Sequence, residues 1–228
     1  METRPLKTFA QAARQKLMDQ VENRLHFWLE EDTAEHREHP RALKQMQARE
    51  RQFGRASLVD EVAYTWFNRL VALRFLDVNG FQPDTVRVIS PVEGEQEPEI
   101  LKRAEQNFFP DGLTEARRQI ITRLLMGQIP VDNPYNEVYR ILLTHACNQL
   151  NTPFPFLFEP IDDYTELLLP EDLTSPRSIL QDIREGLPEH TCQDVEVIGW
   201  LYQFYISEKK DQVFAGLKKN QKITAENI

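Results

Sequence analysis

Three short constellations in this sequence have residue types that could do chemistry. Glu208-Lys209-Lys210, with Asp194 upstream, matches the carboxylate, carboxylate and lysine set that some nucleases place around a metal on adjacent strands. Here both parts fall on a predicted helix, so the expected reading is solvated charge. His36 and His39 have a spacing that metals tolerate, but no cysteine or third ligand joins them, and surface residues are expected. Asp132-Asn133-Pro134-Tyr135 is a partial copy of the Asn/Asp/Ser-Pro-Pro-aromatic loop that takes the amine of a flipped base. It lacks the second proline, and no glycine-rich strand-turn-helix precedes it. A helix start with Pro134 in the first turn is the expected structure. No nucleophile elbow, Walker loop or Cys-x-x-Cys is present.

A fourth feature is electrostatic. Residues 37 to 55 hold six Arg or Lys against two Glu. Arg41, Lys44, Arg49, Arg51 and Arg55 are the candidate nucleic-acid contacts, with Lys44, Arg51 and Arg55 at spacings of seven and four that suit a run of phosphates. The competing reading is a solvated helix balanced by acidic loops; residues 159 to 172 hold six Asp or Glu and no basic side chain. The net charge of -9 argues against a protein that coats nucleic acid over its whole surface.

These residues must be positioned by helices. Phe9, Ala13, Leu17, Val21, Leu25 and Trp28 predict a first helix over 8–29 with one core-facing stripe. Pro40 opens a second, basic surface helix over 41–52. Ser57 is the expected N-cap of a third helix, with Asn79-Gly80 its stop. Its apolar residues, from Val59 through Trp66 and Phe67 to Phe75, cover so much of the girth that it should be the core helix. Val86 to Ile89 suggests a short strand, and 91–98 an acidic loop. Helices are expected over 99–107, 114–126, 134–151, from Thr174-Ser175-Pro176 to Gly186, and over 194–217. Alternating Phe and Pro over 153–158 suggests an extended segment pressed onto helices, and the acidic loop continues to 172. The fold class is mainly α, a multi-helix domain with at most one or two short strands. It is read as a single helical domain over 1–228, with subdomains over 1–80 and 81–228.

At 228 residues with 41% hydrophobic and 28% charged side chains, the chain has ample core material. Nothing approaches a membrane span, and the charged Met1 to Lys7 is no signal peptide. Cys147 and Cys192 lie far apart and are expected as buried reduced thiols, which points to the cytoplasm.

Two aromatic blocks carry a resemblance. Glu61-Val62-Ala63-Tyr64-Thr65-Trp66-Phe67-Asn68-Arg69-Leu70-Val71-Ala72-Leu73-Arg74-Phe75-Leu76, ending in Asn79-Gly80, resembles the helical N-terminal region of PglX-type enzymes, the adenine-specific DNA methyltransferases of BREX phage-exclusion systems. Val197-Ile198-Gly199-Trp200-Leu201-Tyr202-Gln203-Phe204-Tyr205 is similar to a second stretch of that region, which runs in the family into the methyltransferase domain. The resemblance implies a parent enzyme that uses S-adenosylmethionine to methylate the N6 amine of adenine in a short DNA site, marking host against phage DNA. It implies no catalytic or cofactor-binding residue in this chain, because the family's motifs lie beyond Ile228. The expected function is therefore a helical scaffold that supports the catalytic domain, inactive alone, and helps to hold DNA. Expected partners are DNA, the rest of the enzyme and other BREX subunits. The alternative is a module that docks another defence subunit without touching DNA, and a third reading is a divergent nuclease on Asp194, Glu208 and Lys210.

Overall fold

The structure is a computed structural model that describes residues 3–31, 34–161 and 164–217; the side chains of 34, 35 and 208–217 lie outside the description. Among the described residues the elements are α1 (Thr3–Glu30), a 3-10 turn (Ala34–Arg37), α2 (Pro40–Phe53), α3 (Arg55–Asn79), α4 (Glu99–Glu105), α5 (Glu115–Leu125), α6 (Pro134–Gln149), α7 (Tyr164–Leu167), α8 (Ile179–Gly186), α9 (Glu189–Cys192) and α10 (Glu196–Leu217). The mainly-α expectation holds. The described residues contain no strand pairing beyond one isolated bridge between Pro91 and Pro98.

The chain forms two compact units, neither continuous in sequence. Unit 1 takes 1–68, 163–170 and 195–228; unit 2 takes 69–162 and 171–194. In unit 1, α1 packs along α10. The α1 stripe of Leu6, Ala10, Ala13, Leu17, Val21, Leu25 and Trp28 is buried; the expected positions from Ala13 to Trp28 lie on it, whereas Phe9 is only half-buried and Leu6 and Ala10 extend the stripe in its place. Phe67 bridges the helices, with its ring centroid 6.2 Å from Phe9 and 4.6 Å from Tyr205. Two indoles fasten the 163–170 segment: Trp66 Nε1 donates to Thr165 O at 3.1 Å and Trp28 Nε1 to Leu167 O at 2.9 Å. This segment is therefore more than the acidic loop expected from its charges. It contains α7 and buries Tyr164, Leu167, Leu168 and Leu169.

Unit 2 is built on α6, which α4 and α5 contact and which buries Val138, Tyr139, Leu142, Leu143, Ala146 and Cys147. Asn133 caps α6 by accepting from Asn136 N–H at 3.1 Å. Asn136 in turn pins the approach to α8, donating to Glu171 O at 2.7 Å and accepting from Leu173 N–H at 2.8 Å. Helix α8 starts from the Ser178 cap and not from Thr174, because a turn comes first: Ser175 N–H donates to Asp172 Oδ1 and Ser178 N–H to Ser175 O, both at 3.0 Å.

The expected strand over 86–89 is absent because a side chain replaces the neighbouring strand. The buried Asp77 carboxylate accepts from the backbone N–H groups of Val88, Ile89 and Ser90 at 2.8, 2.7 and 2.8 Å, from Ser90 Oγ at 2.9 Å and from Gln82 Nε2 at 2.6 Å. Burial raises the pKa of this carboxyl, and the hydrogen bonds from Val88, Ser90 and Gln82 offset only part of that rise. The Phe-Pro segment also differs from expectation. It folds into turns, with Phe154 N–H bonded to Leu150 O and Phe158 N–H to Phe154 O, both at 3.0 Å. Phe158 is buried while Phe156 is 99% exposed, so proline stops the helix without laying the segment on the core.

The core helix α3 is as expected in its burial. Leu58, Val62, Ala63, Trp66, Leu70 and Leu73 are each at most 1% exposed. It begins at Arg55, two residues before Ser57, because Gly54 O already accepts from Leu58 N–H at 3.1 Å. It ends where Asn79-Gly80 predicted. Gly80 sits at φ 68°, and the bonds Phe81 N–H to Leu76 O (2.9 Å) and Gly80 N–H to Asp77 O (3.4 Å) close the left-handed cap.

Candidate nucleic-acid interface

Helix α2 is short, polar and anchored by Met46, its one buried residue. At about 100° per residue, Arg41, Lys44 and Arg51 fall within about an 80° arc, roughly opposite Met46. Burying Met46 therefore turns these three cations to solvent, and all three are exposed. They make no ion pair among the described residues. From Arg41 to Arg51 the face runs about 15 Å along the helix axis, the reach of a few successive phosphates.

The other two candidates are placed differently. Arg49 is half-buried; its Nη2 donates to Glu61 Oε1 at 2.6 Å and its guanidinium lies 4.5 Å from the Phe53 ring centroid. The Glu61 contact holds the Arg49 pKa above its ordinary value. Arg55 is not on the same helix as Lys44 and Arg51. Gly54, at φ 82°, ends α2, and Arg55 opens α3. The expected seven-and-four face is therefore broken at its last member. The Arg55 guanidinium bridges α1, donating to Glu22 and Glu30 at 2.6 Å each, with Glu50 at 3.8 Å. Its pKa is raised, chiefly by Glu30. The structure thus gathers Arg41, Lys44 and Arg51 on one open face and turns Arg49 and Arg55 to bracing α2 against α3 and α1.

His36 and His39 pack about Trp28, with ring centroids 5.0 and 5.7 Å away, and His36 Nε2 lies 3.0 Å from Trp28 O. No group of three or more His, Cys, Asp or Glu among the described residues is arranged to hold a metal. Asp194 lies in the turn before α10, and the side chains of Glu208, Lys209 and Lys210 lie outside the description. Asn133 and Pro134 open α6, leaving Tyr135 on the surface. Cys147 and Cys192 are both buried free thiols, and burial pushes the Cys147 thiol up to about 12. No helix among the described residues is long and apolar enough to cross a membrane.

One concave feature escaped the sequence reading. Unit 2 holds a cavity of about 390 Å³ lined by residues from 83–86, from α4 and from 108–111. Three separated segments build it, so no local pattern could mark it. The nearest signals were a β-branched residue at a turn, Thr85, and the adjacent rings Phe108 and Phe109.

The fold and these sites define a class: an all-helical domain with a cation-bearing surface helix and, among its described residues, neither a metal cluster nor a strand-glycine turn-helix unit. No protein-family model matches the chain. It is 41% identical over 177 residues to the adenine-specific methyltransferase BrxX of Escherichia coli O9:H4 (strain HS), a match covering 78% of this chain and 14% of that protein. It is 38% identical over 163 residues to the adenine-specific methyltransferase PglX of Lacticaseibacillus casei (strain Zhang), covering 69% of this chain and 13% of that protein. The chain is a homologue of one region of these adenine-specific methyltransferases, and it spans only about a seventh of their length.

Proposed function

We propose that this chain is the N-terminal helical domain of an adenine-specific DNA methyltransferase of BREX phage exclusion, a scaffold for catalysis performed elsewhere in a larger protein. The homology to a small part of two such enzymes supports this reading. S-adenosylmethionine would be held outside this chain. The described residues offer it no glycine turn between strand and helix, and Asn133, the residue before the proline of the partial base-loop motif, is occupied in capping α6. On this reading the protein works in the cytoplasm and carries out no methyl transfer by itself.

In this proposal α2 touches the DNA backbone through Arg41, Lys44 and Arg51. The supporting observation is their shared exposed face, free of ion pairs among the described residues, on a chain whose net charge is -9. Cations kept open on an acidic protein favour a local polyanion. Three phosphate contacts give a salt slope of about −2.7 in log affinity against log salt, or roughly 40-fold weaker binding from 50 to 200 mM. Fluorescence anisotropy with a labelled duplex at low salt tests it. Reversing Arg41, Lys44 and Arg51 to Glu should abolish binding while leaving thermal stability unchanged, since none of the three braces the fold. Binding that survives the triple reversal rules out this assignment. The docking alternative is favoured by Phe156, which is 99% exposed and stands three residues before the acidic 159–172 run in the sequence. Under that alternative, nuclease-treated pull-downs would retain a partner and the duplex would never bind.

A further inference from the structure

The cavity in unit 2 has the chemistry of a receptor for a cation. Its apolar lining is Val86, Ile100, Phe108 and Phe109, and Asp84 and Asp111 also line it. These two are cross-linked. Asp111 N–H donates to Asp84 Oδ2 at 3.2 Å, and Gln149 Nε2 donates to the same oxygen at 3.2 Å and to Asp111 O at 2.7 Å. One wall also holds a residue in the left-handed region, Thr85 at φ 56°. A β-branched residue takes that conformation only where its surroundings impose it. The opening is therefore preformed.

Its charge balance is negative. Arg103, the basic residue of the lining, is bound to Glu99 through Nε at 2.8 Å and Nη2 at 2.7 Å. Asp84 Oδ1 and the Asp111 carboxylate accept no hydrogen bond and join no ion pair among the described residues. Glu93, Glu95 and Glu97 are exposed on the loop that leads into α4. Phe109 is already approached by a guanidinium, Arg118, at 5.9 Å. Phe108 is 67% exposed and available to another.

We propose that this cavity receives the arginine side chain of a partner polypeptide. The guanidinium lies between the Asp84 and Asp111 carboxylates and over the Phe108 ring, and its methylenes rest against Val86 and Ile100. A carboxylate with two open oxygens, as at Asp111, is a planar acceptor pair that suits guanidinium better than ammonium. The two carboxylates repel phosphate, so a nucleotide is the wrong occupant. This inference rests on unit 2 alone and is independent of whether α2 binds DNA.

The test is a ¹⁵N-¹H titration of the 228-residue chain with N-acetyl-arginine amide, N-acetyl-lysine amide and adenosine monophosphate in parallel. The arginine probe should shift the amides of residues 84, 85, 108 and 111 and saturate on the order of 1 mM, as a single small side chain allows. The lysine probe should bind several-fold more weakly, and the nucleotide should leave these amides unmoved. Phe108→Ala and Asp111→Asn should each weaken the arginine probe by about tenfold. Both side chains are exposed and the Asp111 carboxylate braces nothing, so the remaining spectrum should keep its dispersion. The proposal is overturned by an arginine titration without shifts, by equal saturation with lysine, by nucleotide binding at these residues, or by both variants binding as the parent does.

Discussion

Removing the Asp77 carboxylate should unlock the 82–90 segment of unit 2, and the cost can be worked from its bonds. Asp77 is 2% exposed and satisfies three backbone N–H groups, of Val88, Ile89 and Ser90, together with the Ser90 hydroxyl and the Gln82 amide. Asp77→Ala strands the three backbone donors, each costing about 1–3 kcal/mol when buried without a partner. Losing a desolvated charge offsets part of this, leaving a net destabilisation of about 3–5 kcal/mol. Asp77→Asn is milder. Its amide nitrogen can face the side occupied by Val88 N–H and Gln82, where Gln82 can flip to offer its oxygen, so a single backbone donor is lost at about 1–2 kcal/mol. Tryptophan fluorescence is the wrong probe, because Trp28, Trp66 and Trp200 all belong to unit 1. Native-state hydrogen exchange at Val88, Ile89 and Ser90 reads unit 2 directly, and urea denaturation followed by circular dichroism gives the stability of the whole chain. If Asp77→Ala keeps these amides protected and stability within 1 kcal/mol of the parent, the side chain is not the partner that replaces a strand.

Two further outcomes follow from geometry already described. Gly80→Ala should cost about 1 kcal/mol through its φ of 68° alone, since an added Cβ meets nothing within 4 Å, and Gly80→Asn should recover part of that loss in thermal melts. Burial raises the pKa of both thiols, that of Cys147 to about 12, so the folded chain should be inert to a thiol reagent at pH 8, and both thiols should react once denaturant is added. A thiol that titrates quickly in the native protein would contradict the packing of α6 or α9.

The mutual agreement of propensity, periodicity and caps made the helices readable. The α1 stripe and the α3 girth are local patterns, and so are the Asn79-Gly80 stop and the Asn133-Pro134 start, because the groups they satisfy lie within one helical turn. The same locality explains the failures. Residues 86–89 have strand-like composition, yet the group that satisfies their amides is a carboxylate on another element. Residues 174–178 have a helix start, yet the Asp172 carboxylate and the turn from Ser175 to Ser178 take those backbone groups first. For the candidate site, the sequence showed that five basic residues cluster over 41–55, but charge counts carry no direction.

Composition and spacing by themselves determined that this protein is helical, that α3 is its core helix, and that its short motifs lack the full sets a methyl donor or a metal requires. Only the tertiary structure decided which cations stay open. Met46 points inward, Gly54 turns the chain, and Glu22, Glu30 and Glu61 arrive from elements distant in sequence to engage Arg55 and Arg49. The cavity between Asp84 and Asp111 likewise exists only once 83–86, α4 and 108–111 meet. Local sequence sets what a segment can be, whereas long-range partners set which of its side chains remain unspent.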